Sequence, residues 1–224
     1  MKDSVLFERL GYMPKNKELF ETALTHSSCG LGYNNERLEF LGDAVLELIS
    51  SEFLFETFPE MHEGELSKLR SELVCENALN EWAKSIGFGD FLRLGKGEEV
   101  TGGRTKPSIL SDAVEAVIAA VYLDGGYECA KKFAESILSY LLRLQKDGLL
   151  FTDAKTALQE LLQSRGSQLP VYTVTGTQGP PHAMVFSVSV HCGDMLLGKG
   201  SGASKKQAEQ DAARSAIIKL KKYC

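Results

Sequence analysis

The stretch "NNERLEFLGDAVLELI", Asn34 to Ile49, carries three carboxylates at one spacing. Glu36, Glu39 and Asp43 stand at i, i+3 and i+7, so on a helix they fall within about 60° of one another. Leu38, Leu41, Val45, Leu48 and Ile49 gather on the opposite side, which predicts an amphipathic helix with an acidic stripe. Such a stripe is either solvated surface, as most charge runs are, or a cation site. Glu47, close to the same stripe, favours the first reading.

A second acidic pair, Asp112 and Glu115, stands at i, i+3 in "SILSDAVEAVIAAVYLDGG". After Glu115 no polar residue occurs until Tyr122, and a helix that is apolar all round is a buried one. A carboxylate there is costly unless it is paired, hydrogen-bonded or bound to a metal. A capping box, with Asp112 as N-cap and Glu115 at N3, would satisfy it without any chemistry; Ser108 and Ser111 are equally placed to cap. Taken together, Glu36, Glu39, Asp43, Asp112 and Glu115 are more carboxylate than an apolar helical core tolerates unless cations bind. Oxygen donors without His or Cys suit Mg²⁺, with Mn²⁺ as a substitute, rather than zinc. Paired hard cations held this way can drive phosphodiester hydrolysis. Glu63 in "HEGELSKLR" is a further acid, explained equally well as a first-turn Glu favoured by the helix dipole.

The elements that must position these groups are helical. Over residues 1 to 150 apolar positions recur at three and four, predicting helices over roughly Lys2 to Leu10, Asn16 to Leu24, Glu36 to Phe58, Glu63 to Ile86, Ser108 to Leu123 and Tyr127 to Arg143. The Gly-rich "LGKGEEVTGGRTKPS" between the fourth and fifth reads as an exposed loop. It holds no G-x-x-x-x-G-K-[ST], so no nucleotide cofactor is expected. "QKDGLLFTD" contains the expected linker, with boundaries 147–152, dividing a domain at 1–146 from one at 153–224. Beyond it the pattern changes: a helix at Ala154 to Ser164, strand-like "VYTVT", "AMVFSVSVH" and "MLLGKG", and a helix through "SKKQAEQDAARSAIIKLKK". The fold class is therefore mostly α: an all-α domain followed by a small α+β unit of order αβββα.

The net charge of −5 conceals a split. Residues 1–150 hold 16 Lys+Arg against 25 Asp+Glu, and residues 151–224 hold 9 against 5, an acidic module joined to a basic one that suits a polyanion. Ser204 can cap the last helix with Gln207 completing the box. Lys205 and Lys206 then sit in a first turn where the dipole disfavours cations, which makes sense for a phosphate site and otherwise describes a solvated pair. The start has no basic stretch followed by an apolar run, and the longest apolar run, Ala116 to Leu123, is far short of the ~20 residues that span a bilayer. No membrane association and a cytoplasmic location are expected. The 5 cysteines are scattered without C-x-x-C spacing, arguing against disulfides and zinc.

"NERLEFLGDAVL" closely resembles the signature of the ribonuclease III family, endonucleases specific for double-stranded RNA. "ALTHSS", "EGELSKLRSELV" and "LSDAVEAVIAAVYLDGG" resemble that family's other blocks in the same order. By this resemblance Glu39, Asp43, Asp112 and Glu115 match the catalytic, metal-binding carboxylates. Glu36 and Glu63 match accessory acids that line the catalytic valley, and His26 matches a structural position. Ala44 departs from a common Ser and Cys29 from a common Tyr; neither removes a carboxylate. The C-terminal module resembles the double-stranded RNA-binding domain. There Thr156, Gln159 and Gln163 would face a minor groove, His182 in "GPPHA" the next one, and Lys205 and Lys206 the phosphates between. The resemblance implies a homodimer that hydrolyses double-stranded RNA to 5′-phosphate and 3′-hydroxyl ends, in processing of ribosomal RNA precursors and other structured transcripts. The competing readings are a non-cleaving double-stranded RNA-binding regulator, against which the intact acidic set argues, and a metal-dependent hydrolase of small phosphates, against which the basic module argues.

Overall fold

The computed structural model describes residues 2–146, 154–180 and 184–222. The chain folds as two units, Met1–Leu142 and Arg143–Cys224. In chain order the helices are α1 Lys2–Leu10, α2 Lys17–Ala23, α3 Glu36–Thr57, α4 Glu63–Leu73, α5 Glu76–Ser85, α6 Lys96–Val100, α7 Pro107–Gly125, α8 Tyr127–Lys146, α9 Ala154–Ser164 and α10 Lys205–Lys222. The strands are β1 Val171–Gln178, β2 Val185–Cys192 and β3 Met195–Gly202. The expected linker at 147–152 lies outside the described residues, and Gln145 and Lys146 belong to α8.

In the first unit α7 is the central helix. From Ile109 to Val121 every residue is buried except Asp112 and Glu115, which are half-buried. That burial follows from a sequence apolar on all sides. Helices α2, α3 and α5 pack against it, α3 most extensively. The α3–α7 crossing is close because of Gly42: a Cβ there would lie 1.9 Å from the Glu115 carbonyl oxygen.

Helix α3 departs from its expected faces. Leu38, Val45 and Ile49 are buried, but Leu48 is 59% exposed and Phe40 81% exposed. Its apolar positions spread around more of the helix than α7 covers, so part of the expected buried side faces outward.

The single helix expected over Glu63 to Ile86 is two. Cys75 is extended (φ −70°, ψ 159°) and starts α5 after α4 has ended at Leu73. Leu69 and Leu73 are buried on α4, and Ala78, Leu79, Trp82 and Ala83 on α5. Continued as one helix these two apolar faces would be about 130° out of phase, so the break lets both reach the core. The Gly-rich segment is also more ordered than an open loop. It holds α6 and a 3₁₀ turn at Gly103–Thr105, fastened by Arg104, which donates to the carbonyls of Gly89 (2.9 Å) and Leu92 (2.8 Å).

In the second unit the sheet is antiparallel in the order β1-β2-β3. Its inner face, with Val188 and Val190, packs with Leu197 against Leu158 and Leu162 of α9 and Ala208, Ala212 and Ala216 of α10. Helix α10 sits low on β3 because Gly198 and Gly200 carry no side chain there: a Cβ on Gly200 would lie 2.1 Å from the Ala212 nitrogen.

Candidate metal centre and nucleic-acid interface

The α3–α7 crossing brings three carboxylates together. Glu39, Asp112 and Glu115 each offer an oxygen, and the three atoms lie within 4.8 Å of one another. Asp112 stands in the second turn of a helix that starts at Pro107, so the capping-box explanation does not hold. The Ser111 hydroxyl donates to Asp112 Oδ1 at 3.3 Å.

Burial and mutual repulsion dominate the electrostatics. Glu115 is pushed up to about 8, first by desolvation and then by Asp43, Asp112 and Glu39. Glu39 is raised by burial, then by Asp112, Glu36 and Asp43. Asp112 is raised by burial, although the Ser111 hydrogen bond opposes this. The charges acting on Glu115 are thus all acids, and crowded oxygens of this kind are a donor set for a hard divalent cation. Asp43 lies outside the triangle and is exposed, yet its charge reaches both Glu39 and Glu115. Glu36, exposed, reaches Glu39. Glu63 is not brought to this cluster. It accepts from Ser67 Oγ at 2.9 Å and lines a separate cleft of ≈ 420 Å³ with Phe55 and Arg70.

Two neighbours were not legible as site residues. Glu76, in the first turn of α5, raises Asp112, and His26 lowers it. No signal marked Glu76, because the α4–α5 break that carries it to α7 does not show in the helical period. His26 is held by its backbone N–H to the Arg93 carbonyl (3.0 Å) and by its Nδ1 at 2.8 Å from Ser28 Oγ.

In the second unit Thr156, Gln159 and Gln163 are exposed on α9. Thr156, Gln159 and Lys206 line one groove of ≈ 550 Å³ with Lys155 and Tyr172. Ser204 caps α10, its Oγ accepting from the Gln207 N–H at 3.2 Å, with Lys205 and Lys206 exposed in the first turn. Such a helix start presents N–H groups and two ammonium groups to an anion. His182 lies outside the described residues.

Comparison with known proteins agrees with this geometry. A family described as Ribonuclease-III-like matches residues 16–141, and the Double-stranded RNA binding motif matches residues 154–220. The chain belongs to the ribonuclease III family. Ribonuclease 3 of Clostridium botulinum (strain Eklund 17B / Type B) is 47% identical over 218 residues, covering 96% of this chain and 94% of that protein. Ribonuclease 3 of Helicobacter pylori (strain P12) is 44% identical, covering 96% and 90%. The crystal structure of the nuclease domain of ribonuclease III from Campylobacter jejuni is 49% identical, with a TM-score of 0.59, covering 61% of this chain and 93% of that one. A second structure of that domain is described as showing structural flexibility in a region involved in dimer formation. As a member of the ribonuclease III family this chain is an endoribonuclease for double-stranded RNA, of a metal-dependent family. Among the described residues no helix is long and apolar enough to cross a membrane.

Proposed function

We propose that Glu39, Asp43, Asp112 and Glu115 hold Mg²⁺, replaceable by Mn²⁺, for hydrolysis of phosphodiesters in double-stranded RNA. The convergence of carboxylate oxygens from α3 and α7 within 4.8 Å carries this reading. A bound divalent cation supplies polarisation of the phosphate and of water, and stabilises charge on the departing oxygen. Water is added across the P–O3′ bond, leaving a 5′-phosphate and a 3′-hydroxyl, with the water's proton ending on the 3′ oxygen. Without a cation Glu115 keeps its proton to about 8. Loading the site displaces that proton, so cation affinity rises with pH. Glu36 and Glu63 serve as accessory acids of the catalytic valley.

The nuclease domain is assigned to 1–146, the linker to 147–152 and the RNA-binding domain to 153–224. Thr156, Gln159 and Gln163 read one minor groove, His182 the next, and Lys205 and Lys206 the intervening phosphates. The enzyme is a homodimer. Support comes from Phe40, Ala44 and Leu48, exposed apolar side chains at successive turns of α3 of the kind that mark an interface. Its substrates are ribosomal RNA precursors and other structured transcripts in the cytoplasm.

The test is incubation of the purified protein with labelled duplex and single-stranded RNA, each with Mg²⁺ and with EDTA. Cutting confined to duplex and to Mg²⁺ is expected. Asp43→Asn should abolish cutting while duplex binding survives; cutting by Asp43→Asn at the native rate would remove that residue from the site.

A further inference from the structure

Beyond their shared apolar core, α9 and the first turns of α10 are linked at the surface of the second unit by a polar contact centred on one side chain. Lys155 lies on α9 immediately before Thr156 and one turn before Gln159. Its Nζ is 2.5 Å from Glu209 Oε2 and 4.7 Å from the centre of the Tyr172 ring, and its backbone N–H donates to Gln210 Oε1 at 3.2 Å. Glu209 is one turn after Lys205 on α10. Lys155 therefore ties α9, β1 and the start of α10 together beside the groove that it lines with Thr156, Gln159, Tyr172 and Lys206. An A-form duplex is recognised by shape, through the fixed separation of its minor-groove edge from the neighbouring phosphates. A protein reading that separation needs its two contact elements held at a matching distance.

We propose that Lys155 is a positioning residue for duplex recognition, acting through Glu209 and Tyr172 and not as a phosphate ligand. This rests on the reading of α9 and the α10 start as the RNA-binding face. A cation that neutralises a phosphate releases counterions and adds about 0.9 to the slope of log affinity against log salt. A positioning cation adds nothing to it. Glu209 sharpens the distinction: removing an acid beside a polyanion tightens binding on electrostatic grounds alone, so weaker binding by Glu209→Gln has to come from lost geometry.

The experiment measures affinity of the full-length protein for a labelled duplex of about 20 base pairs. EDTA stops cutting, the salt concentration is varied, and the temperature is well below each variant's unfolding midpoint. Lys155→Met, which loses both the half-exposed ion pair and the cation–π contact, should weaken binding about fivefold to tenfold, and Glu209→Gln, which loses the ion pair alone, about twofold to fivefold, each with an unchanged salt slope. The double variant should be no weaker than Lys155→Met, and Lys155→Arg, which keeps a cation beside Glu209 and over the Tyr172 ring, should restore most of the affinity. Lys206→Ala is the control: it should lower both affinity and slope, and its failure to do so would refute the underlying reading of the face instead. Tighter binding by Glu209→Gln, a slope lowered by about one in Lys155→Met, or native affinity in both variants despite lowered melting temperatures would overturn the proposal.

Discussion

Gly42→Ala tests how the carboxylates of α3 and α7 are brought together. The added Cβ would lie 1.9 Å from the Glu115 carbonyl oxygen and 2.4 Å from its carbon. Ordinary contact begins near 3.4 Å, so the helices must part by roughly 1.5 Å at this crossing. Overpacking of this kind costs about 1–3 kcal/mol, offset by the ~1 kcal/mol that Ala gains over Gly in a helix. Because the atoms struck are backbone, the net loss of stability is about 2 kcal/mol or more, and activity is compared at a temperature below the variant's melting midpoint. Activity should suffer far more. Glu39 sits one turn before Gly42 and Glu115 carries the carbonyl that is struck, so the displacement acts directly on the triangle of oxygens. A 1 Å misplacement of reacting groups costs on the order of a hundredfold in rate. Single-turnover cleavage of a labelled duplex at saturating Mg²⁺, beside a thermal melt, measures both effects. Gly64→Ala is the control, since nothing lies within 4 Å of a Cβ there. Cleavage by Gly42→Ala at the native rate with a raised melting temperature, the outcome that helix propensity alone predicts, would show that this crossing does not set the carboxylate geometry.

The raised carboxyl pKa of Glu115 predicts a pH effect on the metal-free protein. Its folded value of about 8 lies above the ordinary glutamate value of 4.5, so the folded state binds more protons between those limits, and stability falls as pH rises through that window. Melts in EDTA should show a midpoint that declines from pH 5 to pH 8, and Mg²⁺ should flatten the decline; a flat EDTA profile would count against the crowding described. Phe40→Asp, on the outward row of α3, should convert a dimer into a monomer in sedimentation equilibrium, with an unchanged sedimentation profile speaking against that row as the interface. Gly200→Ala should destabilise the second unit by about 1–3 kcal/mol, because its Cβ would lie 2.1 Å from the Ala212 nitrogen, and calorimetry should show that loss with the nuclease transition unmoved.

What the sequence determined by itself was whatever depends on neighbours within a turn or two. The spacing of Glu36, Glu39 and Asp43, the all-round apolar character after Glu115, the alternation in β1 to β3 and the Ser204 cap are local patterns, and each formed the element its period required. The resemblance to the family's blocks added the expectation that these carboxylates bind metal. Tertiary structure decided what period cannot express. Asp112 is 73 positions from Glu39, and the α3–α7 packing, close at Gly42 against the Glu115 backbone, brings them together. The same limit explains the misread elements. Continuous helical spacing through Val74 and Cys75 concealed a break, because a phase shift between apolar faces shows only when both faces must meet one core. Leu48 carried the hydrophobicity of a buried residue yet lies outside the contact with α7. Propensity and amphipathicity say which side of a helix is apolar; which part of that side is covered depends on the partner it packs against.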